Sequence, residues 1–125
     1  FDGRIDLTLP NPRFLSGGWS ERVEQPDQGA FRFAPRSGAC VKLPFEDPFD
    51  LPVTLTARSL VEEQIMSLSA NGRRVGERSL PMDWAEVRFD VPKALLNPGE
   101  NLLCLGFSET RRNERAAAVR LIQLP

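Results

Sequence analysis

Apolar residues recur at every second position over most of the chain, and this spacing constrains the fold more than any other feature. Ile5, Leu7 and Leu9 alternate with Asp6 and Thr8, and Val41, Leu43 and Phe45 follow the same rule around Lys42. Val53, Leu55 and Ala57 are interleaved with Thr54 and Thr56. The clearest run sets Ala85, Val87, Phe89 and Val91 against Glu86, Arg88 and Asp90. Phe31 and Phe33 around Arg32, Leu103/Leu105/Phe107, and Val119/Leu121 complete the pattern. A period of two sends successive side chains to opposite faces of a strand, so each run reads as a strand with one buried and one wet face. On this reading Phe31 and Phe33 belong with the buried set.

Turn chemistry separates the runs. Asn71-Gly72 lies between two of them, and this pair best tolerates the two positive φ angles of a type I′ hairpin. Pro10-Asn11-Pro12, Ser16-Gly17-Gly18, Pro35-Arg36-Ser37-Gly38 and Asn97-Pro98-Gly99 mark further loops. A single short helical turn fits Pro92 to Leu96, with proline opening it and Gly99 beyond its end. The expectation is an all-β, two-layer antiparallel sandwich of about eight strands. A sandwich is favoured over a closed barrel because several strands carry only three inward apolar positions, which suits two interdigitating faces. At 125 residues, without internal repeat or linker, the chain reads as one domain spanning 1–125, with eight Phe and two Trp to fill its core.

Composition narrows the chemistry. There is no histidine, which removes Ser-His-Asp and Cys-His nucleophiles, an imidazole base and His-ligated zinc. A formal charge of −1 speaks against a nucleic-acid partner, and no run approaches the ~20 apolar residues of a membrane span. The acidic clusters Glu46-Asp47-Asp50 and Glu62-Glu63 sit among prolines or at a turn and read as solvated loops, so no catalytic residue is assigned. Metal is left unassigned, a structural calcium ion being the one candidate cofactor. Cys40 and Cys104 leave two readings open, a disulfide closing a long loop or two separate half-buried thiols.

Ordered motifs carry a resemblance. Ser69-Ala70-Asn71-Gly72-Arg73-Arg74-Val75-Gly76, then Val91-Pro92 through Leu95-Leu96, then Pro98-Gly99-Glu100-Asn101 and Leu103, resemble the hairpin and connecting segment of galactose-binding-like jelly rolls. The sugar-binding domain of family 2 glycoside hydrolases is among these. Gly18-Trp19, Phe31-Arg32-Phe33, Ala39 to Leu43 and the stretch from Glu109 to Leu121 are similar to accessory domains of bacterial membrane glycosyltransferases and sulfatases. The resemblance implies a jelly-roll topology and an extracytoplasmic, bacterial-like setting. It also implies a non-catalytic accessory role in a larger carbohydrate-active protein.

Two roles remain open, glycan or polysaccharide binding and structural docking on a neighbouring domain or subunit. Trp19 and Trp84 are each either core plugs or sugar-stacking platforms. For a binding role, Trp19, Glu21 and Arg22 before Phe31, together with Glu109, Arg111 and Arg112 in the opposing loop, are the candidate ligand-binding residues. They offer an aromatic plane beside charged hydrogen-bonding groups on long loops.

Overall fold

A computed structural model describes residues 3–10, 12–109 and 115–125. Ten strands are found among them: β1 (Arg4–Asp6), β2 (Val23–Gln25), β3 (Gly29–Pro35), β4 (Ala39–Phe45), β5 (Leu51–Ser59), β6 (Gln64–Ala70), β7 (Arg73–Leu80), β8 (Ala85–Val91), β9 (Gly99–Phe107) and β10 (Arg115–Gln123). A one-turn 3₁₀ helix covers Lys93–Leu95, so Pro92 stands just before it rather than inside it. One sheet runs β2-β3-β10-β5-β8, with β1 also paired to β10, and the other runs β4-β9-β6-β7. The strand pairings are antiparallel. The expected two-layer sandwich is the architecture found, with ten strands in place of about eight.

Alternation explains the core. Leu51, Val53, Leu55 and Ala57 of β5 and Val87, Phe89 and Val91 of β8 face Val41, Leu43 and Phe45 of β4, Met66 and Leu68 of β6, and Leu103, Leu105 and Phe107 of β9 in one buried cluster. Each such aliphatic or phenyl side chain contributes roughly 1.5–3 kcal/mol on full burial. Two of the expected positions differ. Leu9 lies past the end of β1 and is exposed. On β10 the register shifts between Val119 and Leu121, so Ile122 enters the core in place of Leu121.

The largest departure is on β3. Phe31 and Phe33 are buried, but on the outer face of their sheet, in a separate cluster with Leu60 and Ala118. Ala34 has the inward parity, and Arg32 shares it. A buried guanidinium is tolerated when most of its donors are met, and here the Nε–H alone is buried without an acceptor. Arg32 donates from Nη1 to the carbonyl of Ser20 (3.1 Å) and from Nη2 to those of Leu9 and Pro10 (both 3.0 Å). It therefore ties the irregular N-terminal segment to the sheet, a job an apolar residue at that position cannot do.

The connecting motifs have a physical content. Asn71 (φ 51°) and Gly72 (φ 84°) form the positive-φ turn between β6 and β7. The Asn71 side chain accepts from the Leu102 amide (2.9 Å) and donates to the Leu95 carbonyl (2.8 Å) and to Asn101 Oδ1 (2.9 Å). Asn101, buried, also accepts from the Asn97 amide and donates to the Asn97 and Gly99 carbonyls. Hairpin, 3₁₀ turn and β9 are thereby held as one unit.

At the opposite sheet edge, residues 14–17 run along β4. The Ser16 and Lys42 amides donate to the Cys40 and Phe14 carbonyls, and the Cys40 amide donates to Gly17. This covers an edge that would otherwise expose unpaired backbone groups.

Cys40 and Cys104 are directly opposed in the β4–β9 ladder, with Cα atoms 4.1 Å apart, and they form a disulfide. Of the two readings, the bridge is the one found. It closes a loop with a sequence separation of 64. Reducing it removes a constraint on the unfolded chain, and the unfolding free energy is expected to fall by about 2–4 kcal/mol. Denaturant melts with and without reductant measure this directly.

Candidate functional site

Of the residues singled out from the sequence, Trp19, Glu21, Arg22 and Glu109 are among those described. Trp19 is half-buried against the main core, and its indole N–H donates to the Cys40 carbonyl (2.8 Å). Its close approach depends on Gly18 (φ 99°), where a Cβ would stand 2.1 Å from the Gly38 carbonyl oxygen. Glu21 and Arg22 are exposed, and the Arg22 guanidinium binds the Thr8 carbonyl and Glu24. Glu109 follows the end of β9. Its amide donates to Gln64 Oε1 (2.9 Å) and its carbonyl accepts from Gln64 Nε2 (2.9 Å), leaving its carboxylate outside. Neither Glu21 nor Arg22 bonds to Glu109. Arg111 and Arg112 lie outside the described residues. Trp19 thus has the position of a core plug.

A different place gathers polar groups over an apolar floor. On the outer face of the β2-β3-β10-β5-β8 sheet, Phe33, Ala118 and Arg58 stand in one row across three strands. Ala118 is the smallest of the three, and its short side chain leaves a hollow between its neighbours. The resulting cavity of about 230 Å³ is lined by Gln25, Gln28, Phe31, Phe33, Arg58 and Arg115, together with Leu60 and Ala118. Phe31 meets Phe33 edge-on (5.1 Å between centroids, 87°) and also meets Trp84 (5.7 Å, 61°). These contacts fix the floor rigidly.

One side chain organises the polar rim. The Gln28 amide oxygen accepts from Arg58 Nη1 (2.8 Å) and from Trp84 Nε1 (2.6 Å), while its backbone carbonyl accepts from Arg120 Nη2. The Arg120 guanidinium lies 4.0 Å over the Trp84 ring, and that of Arg115 lies 4.1 Å over the Phe33 ring. Trp84, read from the sequence as a core cap or a platform, belongs to this outer cluster. Arg58, Arg120 and Gln28 were not legible as a site. Their meeting depends on the pairing of β10 with β3 and β5, which no local pattern encodes.

Among the described residues, no group of three or more His, Cys, Asp or Glu side chains is placed to hold a metal ion. Asp50, in the proline-rich acidic loop, accepts instead from the Lys93 amide (3.0 Å). A calcium ion, which takes 6–8 oxygen ligands, finds no cluster of carboxylates there.

No family model matches the sequence, and no curated protein is matched by it. Solved structures do match. A CBM35 from Cellvibrio japonicus Abf62 superposes with a TM-score of 0.74 at 13% identity, covering 98% of this chain and 92% of that one. The fold is that of a jelly roll. A family 35 carbohydrate-binding module from an environmental isolate gives 0.68 at 12% identity (98% and 91% covered). A CBM36 in complex with calcium and xylotriose gives 0.60 at 12% identity (98% of each). A ruminal GH26 endo-β-1,4-mannanase also matches (TM-score 0.67, 13% identity), and there the chain spans 25% of the larger protein. The jelly-roll sandwich expected from the motifs is the fold these structures share.

Trp19→Ala separates a plug from a platform. The variant is expected to lose roughly 2–3 kcal/mol of stability in denaturant melts, below the full-burial figure because the ring is only partly buried, with saccharide affinity unchanged. An affinity loss at unchanged stability would return Trp19 to the binding site.

Proposed function

We propose that this domain is a non-catalytic carbohydrate-binding module acting as an accessory part of a larger carbohydrate-active protein, and that it binds its glycan in the sheet-face cavity. The observation that carries this reading is the cavity itself. Hydrogen-bonding amide and guanidinium groups converge over a rigid aromatic floor, in a fold that carbohydrate-binding modules share. At about 230 Å³ it is smaller than the roughly 300–1,000 Å³ of sites for drug-sized ligands, which suits one sugar ring of a chain. An extracytoplasmic setting accords with the Cys40–Cys104 disulfide, since such bridges persist in oxidising compartments.

The loop residues Trp19, Glu21, Arg22, Glu109, Arg111 and Arg112 form the alternative site on the same protein. Docking on a neighbouring domain is the alternative role. Soluble polysaccharides titrated calorimetrically into the domain test the reading. Binding is expected in the micromolar to millimolar range and is abolished by Ala118→Leu, which fills the cavity floor, while Glu21→Ala with Arg22→Ala leaves it intact. Retained binding in a folded Ala118→Leu variant moves the site to the loops. No binding of any glycan up to millimolar concentration favours the docking role.

A further inference from the structure

Asn71 is the asparagine of this chain that stands before a glycine. Asn11 and Asn97 precede prolines, whose nitrogens carry no hydrogen, and Asn101 and Asn113 precede the larger Leu102 and Glu114. Gly72 is exposed, and a Cβ placed on it would meet nothing within 4 Å, so its backbone is open to reaction. A glycine nitrogen in that position can attack the side-chain amide of the residue before it. It loses its proton and bonds to Asn71 Cγ, Nδ2 leaves as ammonia, and a five-membered succinimide remains. Water then opens the ring at either carbonyl. The sum is asparagine plus water giving aspartate or isoaspartate plus ammonia.

The fold holds the reacting amide still. Asn71 Oδ1 accepts from the Leu102 amide (2.9 Å), and Nδ2 donates to the Leu95 carbonyl (2.8 Å) and to Asn101 Oδ1 (2.9 Å). The Asn71 backbone amide adds a bond to the Leu102 carbonyl (2.8 Å). Ring closure makes the planar Cγ tetrahedral and expels Nδ2, and neither step can proceed while these partners keep both amide atoms in place. The partners belong to the 3₁₀ turn and β9, 24 to 31 residues further along the chain. They are present only when the sandwich is assembled.

The same contacts reject the product. A carboxylate has no hydrogen to donate. At position 71 one of its oxygens would face the Leu95 carbonyl and Asn101 Oδ1, both acceptors, and the Asn97 amide (2.7 Å) already fixes Asn101 Oδ1 in that role. Asn101 is 1% exposed, so little water reaches that end of the network to relieve the conflict. Isoaspartate goes further and lengthens the backbone inside the turn that sets the β6–β7 register.

We infer that Asn71-Gly72 is a conformation-gated deamidation site, sealed while β9 and the 3₁₀ turn hold its amide and irreversibly converted once they let go. The acid cannot rebuild the contacts that held the amide, so conversion bars the way back to the native fold. A domain that has lost its fold thus acquires a covalent mark that a folded one does not. The hairpin carries this inference on its own, independently of where a glycan binds.

The wild-type domain with its disulfide intact tests the gate, incubated at mildly alkaline pH in buffer and in concentrated guanidinium chloride. Circular dichroism confirms the folded and unfolded states, and mass spectrometry of the tryptic peptide containing Asn71 follows the reaction. Conversion in buffer is expected to be at least tenfold slower than in denaturant, because a site that reacts from the open state is slowed by the rarity of opening. A smaller difference overturns the gate. Asn71→Asp tests the trap. Its melting temperature is expected to lie at least ~5 °C below that of the wild type, or the variant fails to fold. A smaller drop overturns the trap and leaves the gate to the first measurement.

Discussion

Strand β10 is the constraint on which the rest of this sandwich depends. It pairs with β3 and β1 along one edge and with β5 along the other, so three strands take their register from it. A strand in that position must be apolar toward the core and compatible with whatever covers its other face. Two register shifts let it do both. The first falls between Arg115 and Ala117, the second between Val119 and Leu121. Ala116, Ala117, Val119 and Ile122 consequently serve the core, while Ala118 and Arg120 serve the outer face. A regular strand of the same sequence would misplace part of that set, because a one-residue slip exchanges faces.

Much of the fold was legible for a simple reason. β4, β5, β8 and β9 each bury one face only, and their alternation states which. The Asn71-Gly72 turn was equally readable, since few other pairs accept both positive φ angles. Legibility failed at β3, where Phe31-Arg32-Phe33 has the pattern of an inward apolar pair and is oriented the opposite way. What reversed it was three carbonyls of a distant loop that needed a donor, information that lies 12 to 23 residues away in sequence. The cavity was hidden from the sequence in the same manner. Long loops drew attention because loops often carry function, whereas Gln28, Arg58 and Arg120 come together only across paired strands.

The two tryptophans show how one residue type divides between tasks. Trp19 donates to a backbone carbonyl of β4 and packs on the inner core, so its polar end is spent on the scaffold. Trp84 donates to Gln28, the same oxygen that receives Arg58, and carries Arg120 on its face. Its ring links floor and rim. A glutamine is well suited to that junction: its amide oxygen has two lone pairs, takes both donors, and adds no negative charge beside the guanidinium groups.

The two ends of the described chain meet. The Leu124 amide donates to the Gly3 carbonyl (2.6 Å), and Arg4, Ile5 and Asp6 pair with Gln123, Ile122 and Leu121. A pulling force applied at these two ends would meet those pairs one after another, a peeling geometry in which each hydrogen bond carries the load alone. Once β1 and β3 have parted from β10, β10 has parted from β5 and residues 14–17 have left β4, the tension reaches Cys40 and Cys104. The covalent bridge then takes the enclosed chain out of the load path, withholding an extension on the order of 200 Å for a separation of 64 residues. Under tension this domain would be soft at its margin and short in reach. The β7 and β8 strands, inside the bridged loop and paired only with strands inside it, would stay shielded from the load.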